Sequence, residues 1–432
     1  MKSIIITALA LCCFPVFPQS VGRDEKSETI RKLGTTLSEK YYSESEGKRL
    51  HAFLAKQSKN GAYDKIGDGQ AFASILTRQL QSQVADRHLR VEYSQTVLPA
   101  DNRTEIMSLP EQEKQGYANM LRHTNYAIRK VEVLTGNVGY IDFEAFVDPE
   151  FASTTYAGMM AYLSHTEALI IDLRHCGGSR SPEAVPFLLS YFFSKPVKLE
   201  EIFWRKKNGT TVSWTSAAVP GRKYLDKPVF VLTSRNTFSG AEAFVAGMKK
   251  YKRATIIGQT TGGGSHPGGI VRLSDHFQAY ISVGKIVGDE NAVSDWETHG
   301  IAPDIAIKTK LALIEARQLA MRTIASKSDE EIWKNALLQW CGELEKTKPT
   351  FKKVTLELAN HHDAKEVRVA GTFNDWTSEA MQKTAKGWVV DLESETGRQR
   401  YKFIVDGKWI VDPDNRETEI SHGNVDSVVE VN

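Results

Sequence analysis

The hydrophobic positions of this chain change period along its length. Over about 27–83 they recur at helical spacing, with Ile30, Leu33, Leu37 and Tyr41 on one stripe and Phe72, Ile75, Leu76 and Leu80 on another, which predicts a small amphipathic helical subdomain. A polar turn, Ala85-Asp86-Arg87-His88, leads into an alternating strand at Leu89-Arg90-Val91, and residues 99–124 are polar and helix-prone. A two-stranded hairpin is expected over 129–142. Beyond it, helical segments (151–163, 182–193 and the one following Ser239) alternate with short unbroken apolar runs (168–173, 229–233, 255–258). Strands apolar throughout are buried on both faces, so this alternation predicts a layered α/β domain. Residues 309–346 return to helical spacing, with Leu311, Ile314, Leu319, Ile324, Ile332, Leu337 and Leu338 as apolar anchors, and 346–349 reads as a linker. From there, alternating segments at 354–358, 366–370, 387–392, 401–405 and 427–431 are separated by turn signals such as Asp406-Gly407, and they predict a small β-sandwich.

At 432 residues the chain is long for one domain. The division read from these patterns is a signal peptide over 1–20, an N-terminal helical region over 21–125, an α/β core over 126–310, a helical segment and linker over 311–350, and a β-domain over 351–432. The 55 basic residues balance 53 acidic ones, which excludes a polyanion-binding surface and hence nucleic acid as partner. The basic trio Arg205-Lys206-Lys207 reads as a solvated hairpin.

The N-terminus stands apart. Lys2 precedes an apolar run over 4–17, and Gln19-Ser20 follows at a cleavage-like point, the pattern of a secretory signal. Export to a periplasm or the outside is expected. A lipid anchor on Cys12 or Cys13 is disfavoured, because Leu11 precedes Cys12 where a small side chain is required. No later run is long enough for a stable transmembrane segment. Cys176 and Cys341 would remain after cleavage, and their separation does not decide whether they pair. Neither cysteine has ligand spacing and the histidines form no metal motif, so neither a metal nor a cofactor is expected.

The stretch from Val231 to Val245 carries the sharpest chemical signal. A buried strand and a short polar turn deliver Ser239-Gly240 to the start of a helix with Ala241, Phe244, Val245 and Met248 on one face. Unpaired N–H groups and a positive dipole at that point would stabilise an oxyanion on a carbonyl attacked by Ser239; a serine there also fits a plain helix cap. At the end of the 168–173 strand, Gly177 and Gly178 in Arg174-His175-Cys176-Gly177-Gly178-Ser179 expose backbone N–H groups as a second oxyanion donor, or make only a tight turn. The glycine-rich stretch 260–269 lacks the lysine of a phosphate-binding loop and reads as a flexible, substrate-facing loop. Glu297 and His299 stand just before a Gly/Pro turn. His88, at a strand start, fits a surface or structural role as well as a chemical one.

Taken in order, Ile170 to Ser179, Thr233 to Glu242, Gly258-Gln259-Thr260-Thr261-Gly262 and Gly300-Ile301-Ala302-Pro303-Asp304 resemble the core of the tail-specific and tricorn-core serine peptidases. Asn125 to Glu132 and Gly136 to Asp142 are similar to the branch related to interphotoreceptor retinoid-binding protein. The resemblance spans about residues 27–310 and implies a ClpP/crotonase-like layered α/β core. The tail-specific branch uses a lysine base in a loop that here reads Thr261-Gly262-Gly263-Gly264. The tricorn-like branch uses a histidine and a glutamate, whose positions His88 and Glu297 match, although Arg87 stands where tricorn has a serine. What the resemblance implies is a Ser239–His88–Glu297 triad, with the Gly240 N–H and that of Gly177 or Gly178 as oxyanion donors, acting on a peptide or protein substrate through an acyl-enzyme. The retinoid-binding branch implies an alternative, a non-catalytic carrier of apolar ligands or a scaffold.

The C-terminal segment has its own likeness. Val367 to Trp376, Tyr401 to Trp409 and Asp412 to Asn415 resemble the glycogen-binding module of the AMP-activated kinase β-subunit, which implies an immunoglobulin-like β-sandwich and an α-glucan ligand. Trp376 and Trp409 match the stacking platforms and Lys402 a hydroxyl donor, while Asp426 stands where an asparagine is usual. The two tryptophans equally suit the interior of the sandwich.

Overall fold

The structure, a computed structural model, describes residues 20–99, 111–287, 295–421 and 423–432. The apolar run over 4–17 and both N-terminal cysteines lie outside the described residues. Among the described residues, no helix is long and apolar enough to cross a membrane.

The N-terminal region forms helices Arg23–Lys40, Glu44–Lys59 and Gly69–Gln81. The second and third begin at capping residues whose side chains accept a first-turn N–H, Ser43 from Glu46 and Asp68 from Ala71. The expected stripes are inside: Leu33, Leu37, Tyr41, Phe72, Leu76 and Leu80 are fully buried. They pack against a three-stranded antiparallel sheet whose order is Arg90–Tyr93, Phe277–Ser282, Gly268–Arg272. The last two strands are absent from the sequence reading, which left 270–287 unassigned. The N-terminal lobe is thus completed by chain that leaves the α/β core after Thr255–Gly258 and returns to it at Ile305–Ala306.

That core is a six-stranded sheet in the order Ile305–Ala306, Thr255–Gly258, Val229–Thr233, Ala168–Asp172, Val138–Phe143, Ile128–Leu134. All its neighbours run parallel except the last pair, the expected hairpin. Strands 168–172 and 229–233 are buried at every position, as continuous apolar runs require. Helices Pro149–Tyr162, Ala184–Leu189 and Gly240–Lys250 cover one face. Helix Thr309–Lys327, backed by Glu331–Glu345, covers the other. Two expected anchors of this helical pair are corrected. Ile332 is 89% exposed and Leu338 45%, because helix Glu331–Glu345 meets its neighbouring helix through Leu337 and Cys341 with Trp333, Trp340 and Leu344, a stripe that leaves Ile332 and Leu338 on the outer side. Cys176 and Cys341 are both buried and free.

The C-terminal region is all β. A three-stranded sheet (Phe351–Ala359, Gly387–Glu395, Gln382–Thr384) and a larger sheet built on Val367–Gly371, Gly397–Val405 and Asn424–Val431 share one apolar core. Leu356, Leu358 and Trp388 enter it from one side, Val367, Val369, Tyr401 and Phe403 from the other.

Candidate active site

Three loops at the carboxyl ends of adjacent parallel strands converge on Ser239, the position where open α/β sheets place ligands. Ser239 begins helix Gly240–Lys250 with φ 54 and ψ −123, a left-handed backbone that costs a non-glycine residue on the order of 1–3 kcal/mol. The strain has visible restraints. Phe238 N–H donates to Cys176 O at 3.1 Å and Gly262 N–H donates to Thr237 O at 2.8 Å, which ties the nucleophile turn to both flanking loops. The 176–179 loop presses against it so closely that glycine is required on each side. A methyl on Gly178, whose φ is +125, would stand 2.9 Å from Ser239 Cβ, and one on Gly240 would stand 2.5 Å from Ser179 Oγ. The backbone of Gly178 therefore lies beside the serine side chain, whereas Gly177 has open space around it.

Glu242 is the residue that sequence reasoning missed. It is fully buried, and its carboxylate accepts Ser239 N–H at 2.9 Å, Thr261 Oγ–H at 2.5 Å and the N–H groups of Gly263 and Gly264 at 2.7 Å each. The Ser-x-x-Glu spacing of a capping box was the available signal. Burial pushes its carboxyl up to about 7, against the pull of those four donors. The same bonds correct the expectation for 260–269: residues 261–266 are buried and fixed rather than flexible.

His88 is buried, 2% exposed, with its ring 4.5 Å from that of Phe238 and stacked on Tyr280 at 5.0 Å. Neither ring nitrogen has a hydrogen-bond partner, so no bond joins the imidazole to Ser239 or Glu297 here. Burial pushes His88 down to about 4. Glu297 is buried one residue along: it accepts Arg87 N–H at 2.6 Å and Ser265 N–H at 2.5 Å, and burial raises its carboxyl. His299 is exposed, its ring on Glu297 O at 2.8 Å.

A second buried histidine, His266, stands with Nδ1 3.7 Å from both Asp86 Oδ2 and Glu297 Oε2. Burial opposes ionisation of Asp86, yet His266, Ser282 and His88 outweigh it and hold the carboxyl below the usual range. The three ligand atoms lie within 4.8 Å of one another. Each carboxylate oxygen is already engaged, those of Asp86 by His88 N–H, Leu89 N–H and Tyr41 O–H, those of Glu297 by Arg87 and Ser265. The cluster is one imidazole between two carboxylates whose oxygens already accept hydrogen bonds.

On the C-terminal module, strand 397–405 sends Tyr401 and Phe403 into the shared core, so Arg400 and Lys402 point to the opposite face. Lys402 Nζ and Arg400 Nη1 lie 3.4 and 3.5 Å from the buried Asp426 carboxylate. Trp409 is 46% exposed, and its ring stands 6.4 Å from that of half-buried Trp376; Trp388 is the tryptophan that fills the core.

These features define an α/β core with a strained serine at a helix N-terminus, joined to an all-β module bearing an aromatic pair. Residues 137–307 match peptidase family S41, and residues 22–135 match the N-terminal domain described for that family in eukaryotic interphotoreceptor retinoid-binding protein. The chain belongs to this serine-type peptidase family. Residues 354–432 match the glycogen recognition site of AMP-activated protein kinase. Over 67 residues, 16% of this chain and 55% of the relative, it is 33% identical to the AMP-activated kinase subunit beta-1 of Sus scrofa. The human subunit beta-2 is 29% identical over 96 residues, 22% of this chain and 35% of that protein. The chain thus spans about half or less of the curated relatives it matches. Among solved structures, a lipoprotein from Streptococcus agalactiae is similar with TM-score 0.46 and 15% identity over 71% of this chain and 98% of its own. The photosystem II D1 C-terminal processing protease follows with TM-score 0.41 and 14% identity over 67% and 95%.

Proposed function

We propose that the protein is an exported serine endopeptidase in which Ser239 attacks the peptide carbonyl, His88 moves the proton and Glu297 orients the histidine. The observation that carries this reading is the strained Ser239 at the helix N-terminus, with the Gly178 backbone against its side chain. The Gly240 N–H, with that of Gly178, receives the oxyanion, each donor contributing about 3 kcal/mol to lowering the barrier, whereas the Gly177 N–H is already donated to Glu144 O at 3.1 Å. Catalytic hydrogen bonds often form only in the substrate complex, and this reading requires the His88–Ser239 bond to form there. On this reading the core has ClpP/crotonase-like layering. The C-terminal module is an immunoglobulin-like sandwich that stacks an α-glucan on Trp376 and Trp409, with Lys402 and Asp426 bonding its hydroxyls. The segment over 1–20 directs export to a periplasm or the outside.

The unbonded His88 imidazole supports a second reading, a non-catalytic carrier or scaffold. Labelling with a fluorophosphonate probe separates the two. The enzyme reading expects labelling of the wild type that vanishes in Ser239→Ala and His88→Ala; a folded wild type that resists labelling sinks it.

A further inference from the structure

The aromatic pair of the C-terminal module lies beside the peptidase site rather than at a distance on a tether. Asn236, three residues before Ser239, clamps the turn that carries Trp376: its Nδ2 donates to Asp375 O at 3.1 Å, and its Oδ1 accepts from Thr377 Oγ1 at 3.1 Å. The bonded residues are the two neighbours of Trp376. Asp375 and Trp376 have φ of 52 and 59, successive left-handed non-glycine residues, a strained conformation that needs support from its surroundings. Trp409, the other half of the pair, follows a hairpin turn that docks on the N-terminal lobe. Arg78 donates to Asp406 O at 3.0 Å and pairs with Glu366 at 3.3 Å. Arg78 belongs to helix Gly69–Gln81, whose chain runs on directly to Asp86 and His88. The module therefore grips both the segment that leads to the nucleophile and the segment that leads to the histidine, with Trp376 at one grip and Trp409 next to the other. Three residues of extended chain span at most about 10 Å, which bounds the Cα separation of Asn236 and Ser239.

Resting on the peptidase and glucan readings above, we propose that module and core form one composite substrate surface, and that the substrates are polypeptides that carry an α-glucan. The glucan seats on Trp376 and Trp409 while the adjoining peptide enters at Ser239. A targeting module on a flexible tether would need no bond to the nucleophile turn, and this one makes two. Tethering by the sugar turns peptide binding into an intramolecular event and lowers KM, with the chemical step left to the same residues.

The test uses the full chain with two probes, casein and casein conjugated to maltoheptaose. The expected result is a KM at least about tenfold lower for the conjugate at similar kcat, a preference that collapses in Trp409→Ala and is restored in part by Trp409→Phe, which keeps a stacking face. Equal KM values from a protein that binds free maltoheptaose overturn the composite surface and leave the peptidase and glucan readings standing. Cleavage of both probes without maltoheptaose binding overturns it through the module. Failure to cleave either, together with no fluorophosphonate labelling, overturns the peptidase reading, and the proposal falls with it.

Discussion

Replacing Glu242 with alanine removes the acceptor shared by the nucleophile turn and the glycine-rich loop. The buried N–H groups of Gly263 and Gly264 and the part-buried N–H of Ser239 lose their acceptor, while the Thr261 hydroxyl can rotate. At about 1 kcal/mol or more for each stranded N–H, and about 1 kcal/mol for the space left by a buried side chain, the loss is about 4 kcal/mol. Because the chain has several structural units, a global unfolding curve would blur this value, so the readout is hydrogen exchange at those same three amides. A loss of about 4 kcal/mol corresponds to exchange roughly a thousandfold faster. Fluorophosphonate labelling of Ser239 should fall in parallel, because the strained φ of 54 loses its restraint. Glutamine adds a titration test. Burial places the Glu242 carboxyl at about 7, and both its oxygens are occupied by donors, so a proton added below that pH must break one of the four bonds. Labelling of the wild type should therefore decline as pH falls through about 7, and Glu242→Gln should lack that limb. Unchanged amide exchange and labelling in the alanine variant would refute this account of Glu242.

Other consequences can be read off the same region. His88 has a folded value of about 4 against about 6.5 unfolded, so its contribution to stability is complete above pH 6.5 and is lost as pH falls towards 4, about 3 kcal/mol in all; denaturant midpoints at pH 7 and 4 should show a smaller acid loss in His88→Gln. Gly178→Ala forces a methyl to 2.9 Å from Ser239 Cβ and 3.1 Å from Gly240 N, so labelling should drop at least about a hundredfold, the effect of losing one aligned oxyanion donor, while the thermal transition persists. Arg174→Ala removes the counter-charge of the Asp172 carboxylate, 1% exposed and bonded to the guanidinium at 2.6 Å, and leaves it only the Tyr140 O–H at 2.7 Å and the backbone N–H of residue 174 at 3.1 Å, so the variant should lose about 3 kcal/mol in chemical denaturation.

The parts of this molecule legible in the sequence are those in which one side chain answers to its own local period. Strands 168–172 and 229–233 have no polar position before their ends, so burial on both faces followed directly, and Ser239 at the start of the next helix inherited its place over the sheet. The strand pair at 268–282 was missed because its burial is uneven: Gly268, Gly269 and Arg272 are only half-buried and Ile270 is exposed, so no clean alternation marks the first strand. Ile332 and Leu338 misled in the opposite way. Helix Glu331–Glu345 backs another helix rather than the sheet, and a single stripe of Trp333, Leu337, Trp340, Cys341 and Leu344 makes that contact, which leaves Ile332 and Leu338 to face outward.

The site itself depends on residues whose meaning is set by partners far away in sequence. Glu242 looks like an ordinary first-turn acid until Thr261, Gly263 and Gly264 arrive to share its carboxylate. His266 sits in a stretch that reads as loop, yet Asp86 from the N-terminal lobe and Glu297, ahead of the last core strand, close around it. Asp86 also accepts the backbone N–H of His88, and Glu297 that of Arg87, so the His88 backbone is held by the same two carboxylates that flank His266. The His266 ring and the backbone that carries His88 thus share the same two carboxylates. Asn236 extends the same logic to the module: a polar turn residue with no local role becomes, once folded, the link between Trp376 and the serine three residues on.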